Sequence, residues 1–364
     1  MKKVVFFWEL YPKTIHGASI SNTLVVKKLS EFSCIECIEE YSPITSHKKF
    51  SFKKVAFFFH AYRQFLKAIA REKFHSFYGV IYLSFSGIIK NILIVYSFKI
   101  KSGKSEVILH FHRSDFIDFV STRINYLLFK LLDRVVSRYI VLSDFQLKEI
   151  SQFTRNSIDV LPNTVETGIQ VQPYNYFSDD GGLNENCIIK ALFLSNYIED
   201  KGIIETIRAV NELNNSNELF NVELNCYGQF TNSVTQQKIF ELLKDSKGIK
   251  INPPIYGMEK FKTISESHLL ILPSKNEGLP LVLLESISLG IPIIISKVGF
   301  IPEVLGDKYP YYCNPNDYKT IIERIRRYTL TFNFSLRNEL IKKFEPYSSH
   351  SHSLFLKKIF ANES

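Results

Sequence analysis

The sequence predicts an α/β protein of two doubly wound domains facing a central cleft. Three observations lead there. The chain has 364 residues, and at roughly 150 residues per domain that length accommodates two domains. Short β-rich runs alternate with stretches whose apolar residues recur at helical spacing, the pattern of βαβ units and a parallel sheet. A polar tract then interrupts the alternation, which afterwards restarts.

In the first half the expected strands are VVFFW (4–8), CIECIEE (34–40), GVIYLS (79–84), EVILHFH (106–112), YIVLS (139–143) and IDVLP (158–162). Stretches such as SNTLVVKKLSEF and RINYLLFKLLDRVVS supply helices between them. The tract ETGIQVQPYNYFSDDGGLNEN is polar and carries Pro173, Gly181 and Gly182, which marks it as a linker. Strands resume with IIKALFLS (188–195), NVELNCYG (221–228), IKINPP (249–254), HLLILPS (268–274) and PIIIS (292–296). The expected organisation is a first domain over 1–165, a linker over 166–186, a second domain over 187–345 and a C-terminal helix over 346–364. Ligands of such sheets bind beyond the carboxyl ends of the strands, so function is expected in the strand-to-helix loops.

Composition narrows the class. Apolar residues make up 45% of the chain and charged ones 22%, which excludes disorder or a fibre as the main state. Five widely spaced cysteines, Cys34, Cys37, Cys187, Cys226 and Cys313, suit a reduced cytoplasmic protein better than a disulfide scaffold. The opening MKKVVFFWELYPK has too short an apolar run for a signal peptide and reads as a strand. The longest uncharged stretch, the 16 residues between Lys73 and Lys90, falls short of the roughly 20 apolar residues of a spanning helix.

Net charge is +9, and part of it is local. From Lys48 to Lys73 there are eight Lys or Arg against one acid, Glu72, together with seven aromatics: Phe50, Phe52, Phe57, Phe58, Phe59, Tyr62 and Phe65. Basic residues interleaved with rings suit an anionic membrane surface. Nucleic acid uses the same features, although it is not the expected partner. A core helix with one solvated basic face fits equally well.

The most informative stretch is PSKNEGLPLVLLESISLGIPIIIS, from Pro273 to Ser296. A strand ends near Ser274, a loop carries Glu277, Gly278 and Leu279, and a helix begins near Pro280, where a first turn tolerates proline. The unpaired amides of that turn, with the helix dipole, make a phosphate site. The helix, 281–289, is apolar nearly all round and is expected to be buried, yet it contains Glu285. A buried carboxylate needs hydrogen-bond donors, and a vicinal diol such as a ribose offers two. Glu277 taken alone also reads as an acid complementing the dipole.

Together these residues resemble a known signature. The spacing of Glu277 and Glu285 within EGLPLVLLESISLGIPIIISKVGFIPEVLG is similar to the Glu-x7-Glu pattern of the retaining family 4 glycosyltransferases of GT-B fold, the glycosyl transferases group 1. The resemblance implies two Rossmann-like domains, with Glu277 beside the donor sugar and diphosphate and Glu285 on the ribose. ALFLSNYIEDKGIIETIRA resembles the family's diphosphate clamp. Lys201 matches its lysine, whereas Asn196 stands where arginine is usual, so Lys201 and the amides near Gly278 are left to stabilise the leaving diphosphate. In the first half, VILHFHRSDF resembles the segment bearing a histidine that meets the donor sugar, which makes His112 the first choice and His110 the second. KTIHGAS resembles the glycine loop near the donor phosphates, with Gly17 as candidate. DVLPNTVE resembles the asparagine-bearing turn before the linker, and the C-terminal KKFEPYSSHSHSLFLKKIFANES the helix that returns to the first domain.

The expected protein is therefore a cytoplasmic enzyme, peripheral on the inner face of the membrane, that transfers a sugar from a nucleotide-diphosphate sugar to a saccharide or lipid-linked saccharide with retention of configuration. Surface polysaccharide assembly, such as O-antigen, lipopolysaccharide or capsule, is its natural setting. No cofactor or metal is expected: no GxGxxG follows the first strand, no Walker lysine motif or HExxH occurs, and Cys34 and Cys37 form one CxxC that reads as core rather than as a ligand pair. Two rival classes stay open, a nucleotide-sugar epimerase on the same scaffold and a non-catalytic membrane- or nucleic-acid-binding protein.

Overall fold

The computed structural model describes residues 2–40, 52–166, 187–216, 218–331 and 334–361. Two compact units emerge: Met1–Thr164 with Ser349–Ser364, and Val165–Ser348. Nearly all of the expected linker, 167–186, lies outside the described residues.

The first unit runs β1 (Lys2–Trp8), α1 (Gly17–Leu29), β2 (Ser33–Glu39), α2 (Phe52–Arg71), β3 (Ser76–Val80), α3 (Phe85–Ser102), β4 (Glu106–His110), α4 (Phe116–Val120), α5 (Arg123–Asp133), β5 (Arg138–Val141), α6 (Asp144–Ser151) and β6 (Ser157–Val160). Its six strands are parallel in the order β2-β1-β3-β4-β5-β6. Alternation along β1 sends Val4, Phe6 and Trp8 into one apolar layer and Val5 and Phe7 into the other, so this strand is buried on both faces, as parallel sheets require.

Two strand ends differ from expectation. β3 stops at Val80 because Asn91 of α3 takes over the next backbone groups. Its Nδ2 donates to Val80 O at 2.8 Å, and its Oδ1 accepts from Tyr82 N at 2.8 Å. β4 stops at His110, before His112. Cys34 and Cys37 are both exposed rather than core, since β2 is an edge strand whose faces are only partly covered. In α2, Phe58 and Phe65 are buried, Phe57 and Tyr62 half-buried, and Phe59 is exposed. Most described rings of the basic segment thus build the core, while Lys53, Arg63 and Lys67 stay outside; Lys48, Lys49 and Phe50 lie outside the described residues.

The second unit runs β7 (Cys187–Leu194), α7 (Ile203–Asn214), β8 (Phe220–Tyr227), α8 (Ser233–Leu243), β9 (Ile249–Asn252), α9 (Gly257–Ser265), β10 (Leu269–Leu272), α10 (Leu281–Ser288), β11 (Ile293–Ser296), α11 (Ile301–Leu305), β12 (Tyr312–Cys313), α12 (Tyr318–Thr331) and α13 (Phe334–Phe344). The sheet is again parallel, in the order β12-β11-β10-β7-β8-β9. β12, at two residues, is too short for a period to have revealed it.

The chain's last described helix, α14 (Ser349–Ala361), belongs to the first unit and packs on α1. Leu356, Ile359 and Phe360 enter the layer around Tyr78 and Val25. Lys28 fixes the start of α14, its Nζ lying 2.5 Å from Ser349 O, 2.6 Å from Ser349 Oγ and 2.8 Å from Ser353 Oγ.

Candidate functional site

In the second unit, β7, β8 and β9 step one way across the sheet, whereas β10, β11 and β12 step the other. The reversal lies between β7 and β10, and crevices of doubly wound sheets open at that point, outside the carboxyl ends. Both loops that leave it carry expected site residues.

After β7, a 3-10 turn of Glu199–Lys201 ends at Gly202. Gly202 has φ +78°, and a Cβ there would lie 2.4 Å from Pro273 Cγ, so only glycine lets this turn close onto the end of β10. After β10, Pro273 and Ser274 are buried and the loop to α10 carries Glu277. Gly299 seats that loop from behind: with φ +56°, its added Cβ would come within 1.9 Å of Glu277 O. Held this way, Lys201 Nζ and Glu277 Oε1 meet at 2.7 Å. The Glu277 side chain is mostly buried and Lys201 partly so. Asn196 is exposed, and its Oδ1 accepts from Gln229 N at 3.3 Å, which ties the loops after β7 and β8 together.

Gly278 and Leu279 lead into α10, whose N-cap is Pro280; no side chain caps the turn. The amides of Leu281 and Val282 at its start thus meet no capping side chain and suit an anion, while Leu283 N already donates to Pro280 O at 3.1 Å. Glu285, one turn further in, is 5% exposed, as a helix apolar nearly all round implies. Lys260 of α9 reaches it, with Nζ 2.5 Å from Oε1. The other oxygen, Oε2, is buried and has no hydrogen-bond partner. An ionised carboxylate with one oxygen paired and one sealed but unsatisfied is costly until a donor arrives. Sequence reasoning missed Lys260: no motif marks it, and only the packing of α9 on α10 brings it to Glu285.

In the first unit, the strand order reverses between β1 and β3. Gly17 opens α1 behind an N-cap formed by His16, whose Nδ1 accepts from Ser19 N at 3.1 Å while Nε2 meets Glu9 Oε2 at 2.8 Å. A Cβ on Gly17 would meet nothing within 4 Å, so packing does not demand glycine there. His110 is buried, its Nδ1 2.8 Å from the Tyr78 hydroxyl and its Nε2 without a partner. His112, half-buried, has Nε2 3.0 Å from Asn22 Oδ1, so the ring is protonated on Nε2 and Nδ1 is left as an unpartnered acceptor. The two rings lie 4.2 Å apart, although β4 ends before His112. Burial, and secondarily His16, pulls His112 down to about 3. Burial first, then His112 and His352, holds His110 well below the ordinary histidine range. Both imidazoles are neutral at physiological pH. Among the described residues no group of three His, Cys, Asp or Glu is placed to hold a metal ion.

Residues 184–343 match the profile of the family Glycosyl transferases group 1. The second unit carries a domain of that group. In sequence the chain is similar to TuaC of Bacillus subtilis (strain 168), 25% identical over 138 residues. That protein is named as a teichuronic acid biosynthesis glycosyltransferase, an assignment its name marks as provisional. The aligned part is 38% of this chain and spans about a third (32%) of that relative's length. In structure the chain is similar to sucrose-phosphate synthase from Thermosynechococcus elongatus (TM-score 0.73, 12% identity, 99% of each chain). It is also similar to HepE of Anabaena in complex with UDP (TM-score 0.70, 13% identity, 100% of each chain), a protein also solved with UDP-glucose. The two Rossmann-like units are therefore those of the GT-B fold.

Proposed function

We propose that this protein is a glycosyltransferase that moves a sugar from a nucleotide-diphosphate sugar to a saccharide acceptor with retention of anomeric configuration. One observation carries the reading: the Lys201 to Glu277 contact of 2.7 Å at the reversal between β7 and β10, beside a helix start without a side-chain cap and a buried Glu285 with one oxygen unsatisfied. Phosphate, sugar and ribose each find the group their chemistry asks for. The group 1 profile supports the activity, and the structures of HepE with UDP and UDP-glucose support a nucleotide-sugar donor.

In this reading the second unit holds the nucleotide and the first the acceptor. The bond from the anomeric carbon to the diphosphate oxygen breaks and that carbon bonds to the acceptor oxygen. The proton of the acceptor hydroxyl passes to the departing phosphate on the same face. Negative charge develops on the diphosphate, where Lys201 and the amides at Gly278, Leu279 and the start of α10 stabilise it. Asn196 supplies a neutral donor through its Nδ2 where a cation would have acted more strongly. Glu277 holds Lys201 in place and faces the sugar, and Glu285 Oε2 accepts from the ribose. Neutral His112 offers Nδ1 to a sugar hydroxyl, with His110 behind it and Gly17 leaving room for a phosphate. The acceptor is a lipid-linked saccharide at the cytoplasmic face of a membrane, in surface polysaccharide assembly.

Thermal shift of the intact chain against a panel of nucleotide sugars tests the donor half, since a bound donor raises stability with the logarithm of its concentration over its dissociation constant. A chain that no nucleotide sugar stabilises overturns the reading. A donor that binds equally well to Glu285→Ala points to a non-catalytic protein instead, and conversion of donor alone to an epimer points to an epimerase.

A further inference from the structure

One side of the first unit is covered by helices that lie next to each other, with α3 packed against both α2 and α5. Each sends its inner residues into the same core layer: Phe58 and Phe65 from α2, Ile88, Ile94 and Phe98 from α3, Phe129 and Leu132 from α5. The outer surface of α3 is apolar as well. Phe85, Ile89, Leu93 and Ile100 are 57%, 43%, 37% and 85% exposed, and at 3.6 residues per turn these positions fall within an arc of about 80°. α5 continues the surface with Ile124 and Leu127, 62% and 56% exposed. Scattered exposed side chains need no explanation, whereas a contiguous stripe over two neighbouring helices does.

Charge says what covers it. α2, α3 and α5 together carry ten Lys or Arg and a single acid, Asp133. Asp133 is spent internally, accepting from Tyr139 Oη, Thr154 Oγ1 and Asn156 Nδ2. Lys53, Arg63, Lys67, Lys101 and Arg123 are exposed on these same three neighbouring helices. A row of convex helices with apolar crowns and a cationic border fits a flat anionic surface that accepts side chains. Among the described residues no helix is long and apolar enough to cross a membrane, so these helices would lie along the interface.

We propose that the outer face of α3 and α5, flanked by the cations of α2, is the surface by which the protein binds an anionic bilayer. Sequence reading pointed to the rings of α2. The structure spends most of those in the core and leaves to α2 the electrostatic part. The proposal gives the lipid-linked acceptor its surface and rests on the transfer reading for that use alone. Vesicle binding probes the first unit and nucleotide binding the second, so either can fail without the other.

The test is co-sedimentation of the full chain with phosphatidylcholine vesicles with and without phosphatidylglycerol. Binding is expected only with phosphatidylglycerol, weakening as salt rises. Ile100→Asp with Leu127→Asp, both at well-exposed positions, is expected to lower partitioning by at least about tenfold while the nucleotide-induced thermal shift stays unchanged. Arg63→Glu with Lys67→Glu lowers it at low salt and removes most of the salt dependence. The proposal is overturned if anionic vesicles do not bind, or if the aspartate pair binds them like the original. A dimer that the same pair dissolves, or single-stranded nucleic acid captured as tightly as the vesicles, overturns it too.

Discussion

Removing the amine that meets Glu285 isolates the cost of a buried carboxylate in this fold. In Lys260→Met the side chain keeps its length and apolar stem, and the contact of 2.5 Å to Oε1 disappears. Both oxygens of Glu285 are then unsatisfied inside α10, which is 5% exposed at that residue. Breaking a fully buried pair costs about 3 to 5 kcal/mol. Lys260 retains some solvent contact, its side chain being 17% exposed, so the loss is placed at the lower end, about 3 kcal/mol. Lys260→Met with Glu285→Leu removes both charges and is expected to regain most of that loss, since apolar replacements of buried pairs are often neutral. The double variant is also expected to lose nucleotide affinity, because no acceptor remains for the ribose. Urea unfolding followed by circular dichroism records both units; the fluorescence of Trp8, which sits in β1, reports the first alone, so a transition that moves in the dichroism but not in the fluorescence belongs to the second. A Lys260→Met protein within about 0.5 kcal/mol of the original refutes the reasoning. So does a double variant no more stable than the single.

Lys201→Ala is expected to lower turnover by at least about tenfold, or roughly 1.4 kcal/mol of transition-state stabilisation, in a steady-state transfer assay; near-normal turnover removes Lys201 from its role. Gly299→Ala forces a side chain against Glu277 O and strains a positive φ, so the second unit should lose at least about 2 kcal/mol in urea unfolding. Gly17→Ala meets nothing within 4 Å and should leave stability within about 0.5 kcal/mol, so a fall in donor affinity there would report a ligand that comes close to the backbone. Acid sensitivity of the first unit follows from its buried histidines. Burial, and secondarily Lys28, lowers His352 to about 3, and His110 lies well below its ordinary range. The unfolded chain takes up these protons near about pH 6.5, so stability is full above that pH and falls below it, by about 1.4 kcal/mol per pH unit for each ring. His352→Asn should remove one such contribution, measured by Trp8 fluorescence in urea between about pH 7.5 and pH 5.5; an unchanged slope overturns the assignment.

Much of the architecture could be read in the sequence because its causes are local. Among the described residues, eleven of the twelve strands lie at least partly under the β-rich runs, since the burial of a parallel strand on both faces writes a continuous apolar segment. The exceptions have physical reasons: Asn91 ends β3 early from another helix, and β12 has two residues. The CxxC of β2 read as core because it falls inside an expected strand, but a strand's place at the sheet edge is not encoded in its own pattern. Likewise the rings of α2 announce a surface in the sequence, whereas in the fold most of the described ones serve the core.

The chain itself determined the alternation of strands and helices, the expected burial of α10 and the presence of two acids eight positions apart, because each depends on residues within a few turns of one another. Tertiary structure alone decided that Lys201 meets Glu277, that Lys260 takes one oxygen of Glu285 and leaves the other unsatisfied, and that α3 and α5 keep apolar residues on their outer sides as well as in the core. Those outcomes depend on which elements become neighbours, and side chains dozens of residues apart acquire a relation only when a sheet orders the loops that carry them.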